Sequence, residues 1–357
     1  MKKIPRVAIV YDRVNKFGGA ERVLLALREL YPDSVLFTSV HDPAGAPWAS
    51  DWEVRTSFLQ CIPFARRHHE WFALLMPWAF ESLDFTGFDL VISVTSEFAK
   101  NILTSPEQKH ICYCLTPTRY LWSHTREYGR GRMSAIKQVL FSYLRPIDLD
   151  ASQRPDQMLA ISSVVQSRIS KYYRRRSNVV YPPTTLLPRK RQKKRGNYYL
   201  VVSRLVPYKR IDLALEVCKR SRRHLHIVGV GSDAIRLLEL AADSPYIHFE
   251  GEVDDRKLSE LYSGARALIC PQEEDFGLVS IEAQAHGTPV VSYARSGVAE
   301  TVLDGKTGIL FTEQTESGLL SALAASDKAK WNEKTIRSRA LKFNKEAFQR
   351  EFRRAVK

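Results

Sequence analysis

Short apolar segments alternate with amphipathic helical patterns along most of the chain. The first apolar segment, residues 7–10, is followed by a glycine turn and by a helical pattern over residues 20–30. Further strands are predicted at residues 34–39, 90–94, 110–114 and 157–161. Unbroken apolar runs are typical of parallel strands that helices cover on both faces. The pattern therefore predicts an N-terminal Rossmann-like domain over residues 1–178.

A second series of the same kind follows a break. Residues 179–197 carry two adjacent prolines and a cationic stretch with little apolar periodicity, which is typical of an interdomain linker. Strands are then predicted at residues 198–203, 224–228, 248–250, 267–270, 288–292 and 308–311. They predict a second Rossmann-like domain over residues 198–335, and residues 336–357 are expected to form a basic helix that crosses back to the first domain. The predicted fold class is α/β, with two facing Rossmann-like domains and a central cleft.

The composition fits two globular domains in a reducing compartment. The chain has 357 residues, of which 44% are hydrophobic and 26% charged, and one domain per about 150 residues is usual. Its five cysteines are few and mostly far apart, so we expect no disulfide framework. The first apolar run is too short for a signal peptide, and no run reaches the roughly 18 residues of a membrane-spanning helix. We therefore expect a cytoplasmic protein.

The net charge of +15 favours polyanionic partners. One basic cluster, residues 66–69, precedes an aromatic segment over residues 71–80, and this combination favours an anionic membrane surface. The alternative interpretation of this region is a buried helix pair flanked by a solvated cluster. A non-catalytic nucleic-acid-binding protein is a further alternative, but no RRM, KH or helix-turn-helix pattern accompanies the charge. We therefore expect no nucleic-acid partner.

Three polar motifs follow predicted strands, which is where α/β sheets bind ligands. In one, Glu274 lies in a strand-to-helix loop and Glu282 lies about two turns along the helix, at most about 12 Å away. Two carboxylates at this spacing can accept hydrogen bonds from hydroxyls at both ends of one polyhydroxylated ligand. Backbone N–H groups around Phe276, Gly277 and Leu278 can bind an anion between them. The alternative is an acidic helix N-terminus that stabilises its own dipole.

The other two motifs point to phosphate. Arg204 and Lys209 combine a planar fork with a mobile point charge, and together they can neutralise a diphosphate and support it as a leaving group. Surface salt bridges are the alternative. Gly18 and Gly19 follow the first strand and allow backbone N–H groups to approach a ligand closely. Neither the dinucleotide fingerprint nor a P-loop is present.

In this order across two α/β halves, the motifs resemble the GT-B glycosyltransferases, in particular the large retaining family that carries E-x7-E, matched by Glu274 and Glu282. The resemblance covers nearly the whole chain. Residues 88–93, 110–122 and 180–183 are similar to the mannosyltransferase-type branch that builds bacterial surface polysaccharides. The resemblance implies transfer of a hexose from a nucleotide-diphosphate sugar to a saccharide or lipid-linked saccharide, with retention and with neither a metal nor another cofactor. It also fits a peripheral position on the inner face of the plasma membrane.

The resemblance also implies a role for each motif residue. Arg204 and Lys209 would hold the diphosphate and Glu274 the donor-sugar hydroxyls, and these three are the expected catalytic residues. Glu282 would bind the ribose hydroxyls. The remaining expected donor-binding residues are Gly18, Gly19, Gly251, Val253, Phe276, Gly277 and Leu278.

The chain departs from the family pattern at two positions. Relatives carry a histidine at the position of Leu115 and an aspartate at the position of Ser123. Because that histidine contacts the donor sugar, Leu115, Thr116 and Arg119 are expected to line a donor or acceptor sugar pocket. An apolar side chain there favours a donor that lacks a hydroxyl, such as a 6-deoxyhexose. A sugar-nucleotide epimerase of similar fold and an inactive relative are the alternatives, and His110 and His124 are expected to be structural or surface residues.

Overall fold

A computed structural model describes residues 5–123, 125, 134–184 and 195–356. The chain divides into two compact units: unit 1 comprises residues 1–183 and 348–357, and unit 2 comprises residues 184–347. Each unit is built on one parallel sheet with helices, so the α/β prediction is confirmed. No helix of the described ranges is long and apolar enough to cross a membrane.

Unit 1 is built on a sheet of seven parallel strands among its described residues. The strands are β1 (Val7–Tyr11), β2 (Val35–Thr38), β3 (Val54–Thr56), β4 (Leu90–Thr95), β5 (Lys109–Cys114), β6 (Gln157–Ala160) and β7 (Asn178–Val179). Their order is β3-β2-β1-β4-β5-β6-β7. Every residue of β1 and β4 is buried, as the unbroken apolar runs predict for central strands. The strand order reverses between β1 and β4, and the loops after these strands are where such sheets bind ligands.

The helices of unit 1 cover this sheet. Before residue 184, the helices among the described residues are α1 (Gly19–Leu30), α2 (Met76–Glu81), α3 (Arg119–Trp122), α4 (Ser134–Ala151) and α5 (Ser163–Tyr173). The first of these begins directly after the glycine turn and buries its apolar stripe, which includes Val23, Leu24 and Leu27. The predicted β-loop-α unit at the start of the chain is therefore confirmed.

Unit 2 contains a six-stranded parallel sheet in its described part. The strands are β8 (Tyr198–Val202), β9 (His224–Val228), β10 (Ile247–Gly251), β11 (Leu268–Cys270), β12 (Val290–Tyr293) and β13 (Gly308–Phe311). Its helices are α6 (Ile211–Arg220), α7 (Ala234–Ala241), α8 (Asp255–Gly264), α9 (Leu278–Ala285), α10 (Glu316–Lys328) and α11 (Glu333–Ala340). The strand order β10-β9-β8-β11-β12-β13 reverses between β8 and β11. The loops after these two strands carry the Arg204–Lys209 and Glu274–Glu282 motifs.

The predicted basic helix over residues 336–357 is interrupted, because the chain forms two helices there. After α11 the backbone leaves the helix, and the carbonyl oxygen of Phe343 accepts a hydrogen bond from the N–H of Thr184 (2.9 Å). Asn344 then accepts from the N–H of Ala347 (2.8 Å), and this cap starts α12 (Lys345–Val356). Residues 348–356 of α12 belong to unit 1, where Phe348 and Phe352 pack against the ring of Tyr113.

The region between the two units also differs from the expected linker. Val179 belongs to β7 in the sheet of unit 1, and the division between the units falls after Pro183. Strands β3 and β7 escape prediction because they are two or three residues long and lie at the sheet edges. Residues 185–194 of the expected linker lie outside the described residues, as does His124.

Candidate functional site

The principal polar cluster of unit 2 lies at the carboxyl ends of β8 and β11. Lys209 ends a 3₁₀ turn after β8, and Glu274 lies in the loop between β11 and α9. The Lys209 Nζ donates a hydrogen bond to Oε1 of Glu274, and the two side chains are only 9% and 14% exposed. Parallel pairing of β8 with β11 brings these residues together although 65 positions separate them.

Several contacts fix the Glu274 loop. Nε2 of Gln272 donates to the same Oε1 of Glu274 (2.9 Å), and the backbone N–H of Glu274 donates to Oγ of Ser296 (3.0 Å). The N–H of Gly297 donates to the carbonyl oxygen of Glu274 (2.8 Å). A Cβ on Gly297 would lie 2.2 Å from the carbonyl oxygen of Asp275, so only glycine allows this close approach. The carboxylate of Glu274 is therefore held in place before any ligand arrives.

Two cations meet at the ring of Tyr208. Nη2 of the exposed Arg204 donates to the Tyr208 hydroxyl (2.7 Å), and the Lys209 Nζ lies 5.2 Å from the centre of the same ring. Arginine supplies several coplanar N–H donors and lysine supplies three, of which Glu274 receives one. This pair of cations is suited to an anion that carries more than one charged oxygen group, such as a diphosphate.

Gly277 makes the turn into α9. Its φ of +82° lies in the left-handed region, and a Cβ would lie 2.4 Å from Cγ2 of Val298. Phe276 is buried against the ring of Phe343, and Leu278 is the first helical residue. The side chain of Phe276 therefore belongs to the core, and a ligand at this turn would meet backbone N–H groups.

The second carboxylate of the motif has different surroundings. Glu282 lies in the second turn of α9, is 3% exposed, and accepts a hydrogen bond through Oε2 from the Tyr262 hydroxyl (2.8 Å). Tyr262 comes from α8 and is fully buried. Glu274 thus faces a cation, whereas Glu282 faces a neutral hydroxyl.

The loops after β8, β9 and β10 are joined through backbone hydrogen bonds. The N–H of Gly229 donates to the carbonyl oxygen of Gly251 (2.7 Å), and a Cβ on Gly229 would lie 1.9 Å from the carbonyl oxygen of Ser203. No heavy atom lies within 4 Å of the corresponding position on Gly251, whose φ is +67°. Val253 packs against the core below. Gly251 therefore borders open space at the same edge of the sheet as Lys209.

In unit 1 the loop after β1 is tied to the loop after β4. Buried Asp12 accepts hydrogen bonds from Oγ1 of Thr95 (2.9 Å) and from the backbone N–H groups of residues 96–99. Gly18 and Gly19 follow in the same loop and lead into α1. A Cβ on Gly18 would lie 3.2 Å from Oε2 of Glu21, whose other oxygen accepts from the Tyr11 hydroxyl (2.7 Å). The glycine turn therefore lies directly over a buried carboxylate.

The predicted sugar-pocket residues follow β5. The N–H of half-buried Leu115 donates to the carbonyl oxygen of Thr95 (2.8 Å), and Arg119 is the first residue of α3. Thr116 is 5% exposed, and its hydroxyl is buried without a hydrogen-bond partner. An unpaired buried hydroxyl is costly, so Thr116 is a suitable donor or acceptor for a ligand group in this unit.

A buried ion pair anchors the same loop. Nζ of Lys100 lies 2.6 Å from Oδ1 of Asp148, and both side chains are almost fully buried. Asp148 also accepts hydrogen bonds from Oγ1 of Thr118 (2.8 Å), Nε1 of Trp122 (2.7 Å) and the Tyr173 hydroxyl (2.8 Å). Thr118 precedes α3 and Trp122 is its last residue, so this network sets the position of the segment that carries Arg119.

His110 is structural, as predicted. Its ring Nε2 lies 2.8 Å from Oγ of Ser93, its backbone N–H donates to Oδ2 of Asp156 (2.8 Å), and burial lowers the pKa of the imidazole to about 3. The cysteines are all thiols, and burial raises the pKa of Cys112 to about 11, so this thiol stays protonated. Within the described ranges no group of three or more His, Cys, Asp or Glu side chains is placed to hold a metal ion.

The unit that holds the Lys209–Glu274 pair is also the one that matches a known family. Residues 184–332 match the family model described as glycosyl transferases group 1. Unit 2 therefore carries a stretch similar to the group 1 glycosyl transferases. All the donor-site residues predicted in unit 2 lie inside the matched stretch.

Known proteins resemble this chain in the sequence of unit 2 and in fold. The D-inositol 3-phosphate glycosyltransferase of Frankia alni is 36% identical over 133 residues, which are 32% of this chain and 33% of that protein. The chain matches only 26% to 33% of the length of the first three curated relatives. The lipopolysaccharide outer core galactosyltransferase WaaB in its apo form has a TM-score of 0.69 at 18% identity, covering 98% of this chain and 99% of WaaB. Anabaena HepE in complex with UDP-glucose has a TM-score of 0.71 at 15% identity, with the same coverages. These likenesses confirm the GT-B fold.

One part of the polar cluster in unit 2 was predictable from the sequence, and another part was not. The structure brings together Arg204, Lys209 and Glu274, as their places after neighbouring strands predict. Glu282 lies further along α9, on the side of this helix that contacts Tyr262. The polar residues that the sequence did not reveal are Tyr208, Tyr262, Gln272 and Ser296 in unit 2, and Asp12, Lys100 and Asp148 in unit 1. Two of them had a local signal, since Gln272 lies two residues before Glu274 and Tyr208 is adjacent to Lys209.

Proposed function

We propose that this protein is a glycosyltransferase that moves a hexose from a nucleotide-diphosphate sugar to a saccharide or lipid-linked saccharide. One observation carries the proposal: Arg204 and Lys209 share the Tyr208 ring beside the fixed carboxylate of Glu274. Two cations suit a diphosphate, and a fixed carboxylate suits sugar hydroxyls. The match of this unit to the group 1 glycosyl transferases supports the same reaction class.

The chemistry follows from where charge develops. When the bond between the anomeric carbon and the phosphate oxygen breaks, negative charge grows on the departing diphosphate, and Arg204 and Lys209 stabilise it. The N-terminus of α9 at Gly277 adds a positive partial charge from its unpaired N–H groups. Glu274 orients the sugar by accepting hydrogen bonds from its hydroxyls. In this proposal the two cations make a metal ion unnecessary, and the product retains the anomeric configuration.

The structures of similar fold support a class of donor and a class of acceptor. HepE has this fold and binds UDP-glucose, so a nucleotide-linked hexose is a reasonable donor class. WaaB, with the same fold, is a galactosyltransferase of the lipopolysaccharide outer core, which supports an acceptor in bacterial surface polysaccharide synthesis. GDP-mannose or a related 6-deoxy donor is the proposed substrate within this class.

A thermal-shift panel tests the proposed donor class. UDP-, GDP- and dTDP-sugars are added to the full chain, with the free hexoses as controls. A ligand that binds only the folded state stabilises it by about 2.7 kcal/mol at 100 times its Kd. We expect one nucleotide series to raise Tm and the free sugars to leave it unchanged. If no nucleotide sugar raises Tm, the proposed function is wrong.

Leu115→His is expected to change the preference between donor sugars. An apolar side chain cannot pair with a sugar hydroxyl, and an unpaired buried hydroxyl costs about 1 to 3 kcal/mol, which is about a 5- to 150-fold preference. The wild type should therefore prefer the 6-deoxy donor, and the variant should shift toward the 6-hydroxy donor. The measurement is kcat/KM for matched donor pairs on both proteins, with Leu115→Met as the control of similar volume. If both proteins show the same preference between the 6-deoxy and 6-hydroxy donors, Leu115 does not contribute to recognition of the donor sugar.

The proposal also includes an anionic membrane surface as a partner. The region after β3 exposes large apolar side chains: Phe64 is 73% exposed, Trp71 72% and Trp78 50%. Arg66 and Arg67 are exposed beside them, whereas His69 is buried with its pKa lowered to about 4 and so carries no charge at neutral pH. Exposed aromatic rings next to arginines favour the lipid–water interface.

The alternative of a buried helix pair in this region is wrong. The segment contains a 3₁₀ turn over His69–Phe72 and the short helix α2. The helix buries Met76 and Phe80 in the core of unit 1 and leaves Trp78 on the surface. The exposed rings are therefore available to a partner.

Arg66→Glu/Arg67→Glu is expected to release the protein from anionic vesicles. Each basic residue near such a surface contributes about 1 kcal/mol, so the double reversal should remove most of the bound fraction. A flotation assay with phosphatidylglycerol vesicles measures this loss, and the nucleotide-sugar thermal shift should be unchanged. Arg353→Glu/Arg354→Glu, two exposed arginines of α12, is the control with the same change in net charge. Equal flotation of the wild type and the Arg66/Arg67 variant would contradict a membrane role for this patch.

A further inference from the structure

Tyr262 forms a hydrogen bond with the carboxylate of Glu282, the second acidic residue of the motif. The hydroxyl of Tyr262 donates to Oε2 of Glu282 at 2.8 Å, and both groups are buried. A hydrogen bond from a neutral hydroxyl to a carboxylate is charge-assisted, and it fixes the rotation of the carboxylate about its last torsion. The two oxygens of a carboxylate offer about four acceptor positions, so a carboxylate can accept several hydrogen bonds at the same time.

Tyr262 is itself held rigidly. Its side chain is fully buried, and its ring stacks on that of His286 with centres 5.4 Å apart and planes inclined by 29°. Its carbonyl oxygen accepts a hydrogen bond from Oγ1 of Thr288 (2.6 Å). Because the ring cannot turn within this packing, the position of its hydroxyl is determined by the fold of unit 2.

His286 fixes the backbone of Glu282 in the same way. Burial lowers the pKa of His286, so the ring is neutral at neutral pH. Its Nδ1 lies 2.8 Å from the carbonyl oxygen of Glu282, which can only accept, so Nδ1 carries the proton. Nε2 then accepts from Oγ of Ser259 on α8 (2.8 Å). Helix α8 therefore fixes Glu282 twice, through its carboxylate and through its backbone.

We propose that Tyr262 is a positioning residue for nucleotide recognition, which orients the Glu282 carboxylate so that it accepts hydrogen bonds from the two ribose hydroxyls of a nucleoside diphosphate. The inference rests on the proposed function, because it takes Glu282 as the ribose-binding residue. A vicinal diol needs a carboxylate whose plane faces both hydroxyls, and a freely rotating group would populate this orientation only in part. The expected effect of Tyr262 is therefore on ribose binding and not on the chemical step.

Tyr262→Phe tests this by removing one oxygen atom. We expect it to weaken binding of a nucleoside diphosphate by about tenfold or more, since the bond lost is a charge-assisted one. With the donor sugar, KM should rise while kcat stays within about twofold. The probe is UDP or GDP, whichever stabilises the wild type more, measured by calorimetry beside its 2′,3′-dideoxy analogue and inorganic pyrophosphate. The last two lack the hydroxyls in question, so their affinities should not change on the substitution.

Two controls separate positioning from folding. Tyr198→Phe removes a hydroxyl that donates to the carbonyl oxygen of Leu261 on the same helix (2.9 Å), and it should leave all three affinities unchanged. In a Glu282→Ala background, which removes the acceptor, Tyr262→Phe should have no further effect on nucleotide binding, whatever its effect on Tm.

The outcomes distinguish the two levels of the proposal. Equal losses for the nucleoside diphosphate and its dideoxy analogue would show a structural role only and would overturn the inference. Unchanged affinity for the nucleoside diphosphate in Tyr262→Phe would also overturn it, while leaving the proposed function intact. If the wild type binds no nucleoside diphosphate, the proposed function fails, and the inference fails with it.

Discussion

Lys209→Ala and Glu274→Ala are each expected to lower the rate of sugar transfer by about 10²- to 10³-fold. Loss of a preorganised charge at the site where charge develops typically costs about 2.7 to 4 kcal/mol in the transition state. Lys209 would stabilise the departing diphosphate, and Glu274 would orient the sugar from which the diphosphate departs. The two side chains also hold each other, so removal of either leaves its partner less well positioned. The measurement is kcat/KM with the donor found by the thermal-shift panel and its acceptor.

The fold should survive both substitutions. Without Lys209, Glu274 keeps its hydrogen bonds to Gln272 and Ser296, and both residues of the pair lie in loops at the sheet edge. Unchanged circular dichroism and a small change in Tm would therefore accompany the loss of activity. Lys328→Ala, an exposed lysine in the last turn of α10, is the matched control and should retain full activity. Near-normal turnover by either site variant would rule out this site assignment.

Asp148→Ala is expected to destabilise the protein by about 3 to 5 kcal/mol, the usual cost of removing one member of a buried ion pair. It leaves the ammonium of Lys100 buried, with the carbonyl oxygen of Glu97 and the face of the Tyr173 ring as neighbours but without a counter-charge from Asp148. It also removes the acceptor of the hydrogen bonds that Trp122 and Tyr173 donate. Urea unfolding followed by circular dichroism measures the loss, with Asp150→Ala, an exposed aspartate on the same helix, as the control.

A second variant separates the charge from the network. Lys100→Met should cost less than Asp148→Ala, because Asp148 keeps three donors in its absence. Burial alone would lower the pKa of Lys100, but the charge and hydrogen bond of Asp148 raise it above its ordinary value. The ion pair therefore contributes fully up to the ordinary lysine pKa of about 10.4, and its contribution is lost only as pH rises through the raised value. Equal stability of Asp148→Ala and the wild type at neutral pH would contradict the structural role of this network.

Hydrophobic periodicity by itself determined the fold class and the places where a ligand site could form. The fully buried strands β1 and β4 and the amphipathic helix α1 need no long-range information, because burial on both faces or on one stripe is encoded in neighbouring residues. The motif residues Arg204, Lys209 and Glu274 follow strands in the sequence, and parallel strands present their carboxyl ends at one edge. Their convergence was therefore predictable in outline. Edge strands β3 and β7 were not, since a strand of two or three residues has no measurable period.

Only the tertiary structure decided which polar side chains pair and which apolar ones face outward. The bond between Tyr262 and Glu282 joins residues 20 positions apart, and that between Lys100 and Asp148 joins residues 48 apart. Such contacts depend on strand order and on the angle at which helices pack, and neither leaves a local pattern in the chain. The break before α12 has the same origin, because a pairing of Phe343 with distant Thr184 competes with helix continuation. Local sequence determines each helix or strand and its apolar face. A buried polar group must form a hydrogen bond, because leaving it unpaired is destabilising. Its partner usually lies far away in the sequence, so only the tertiary fold determines which residue that partner is.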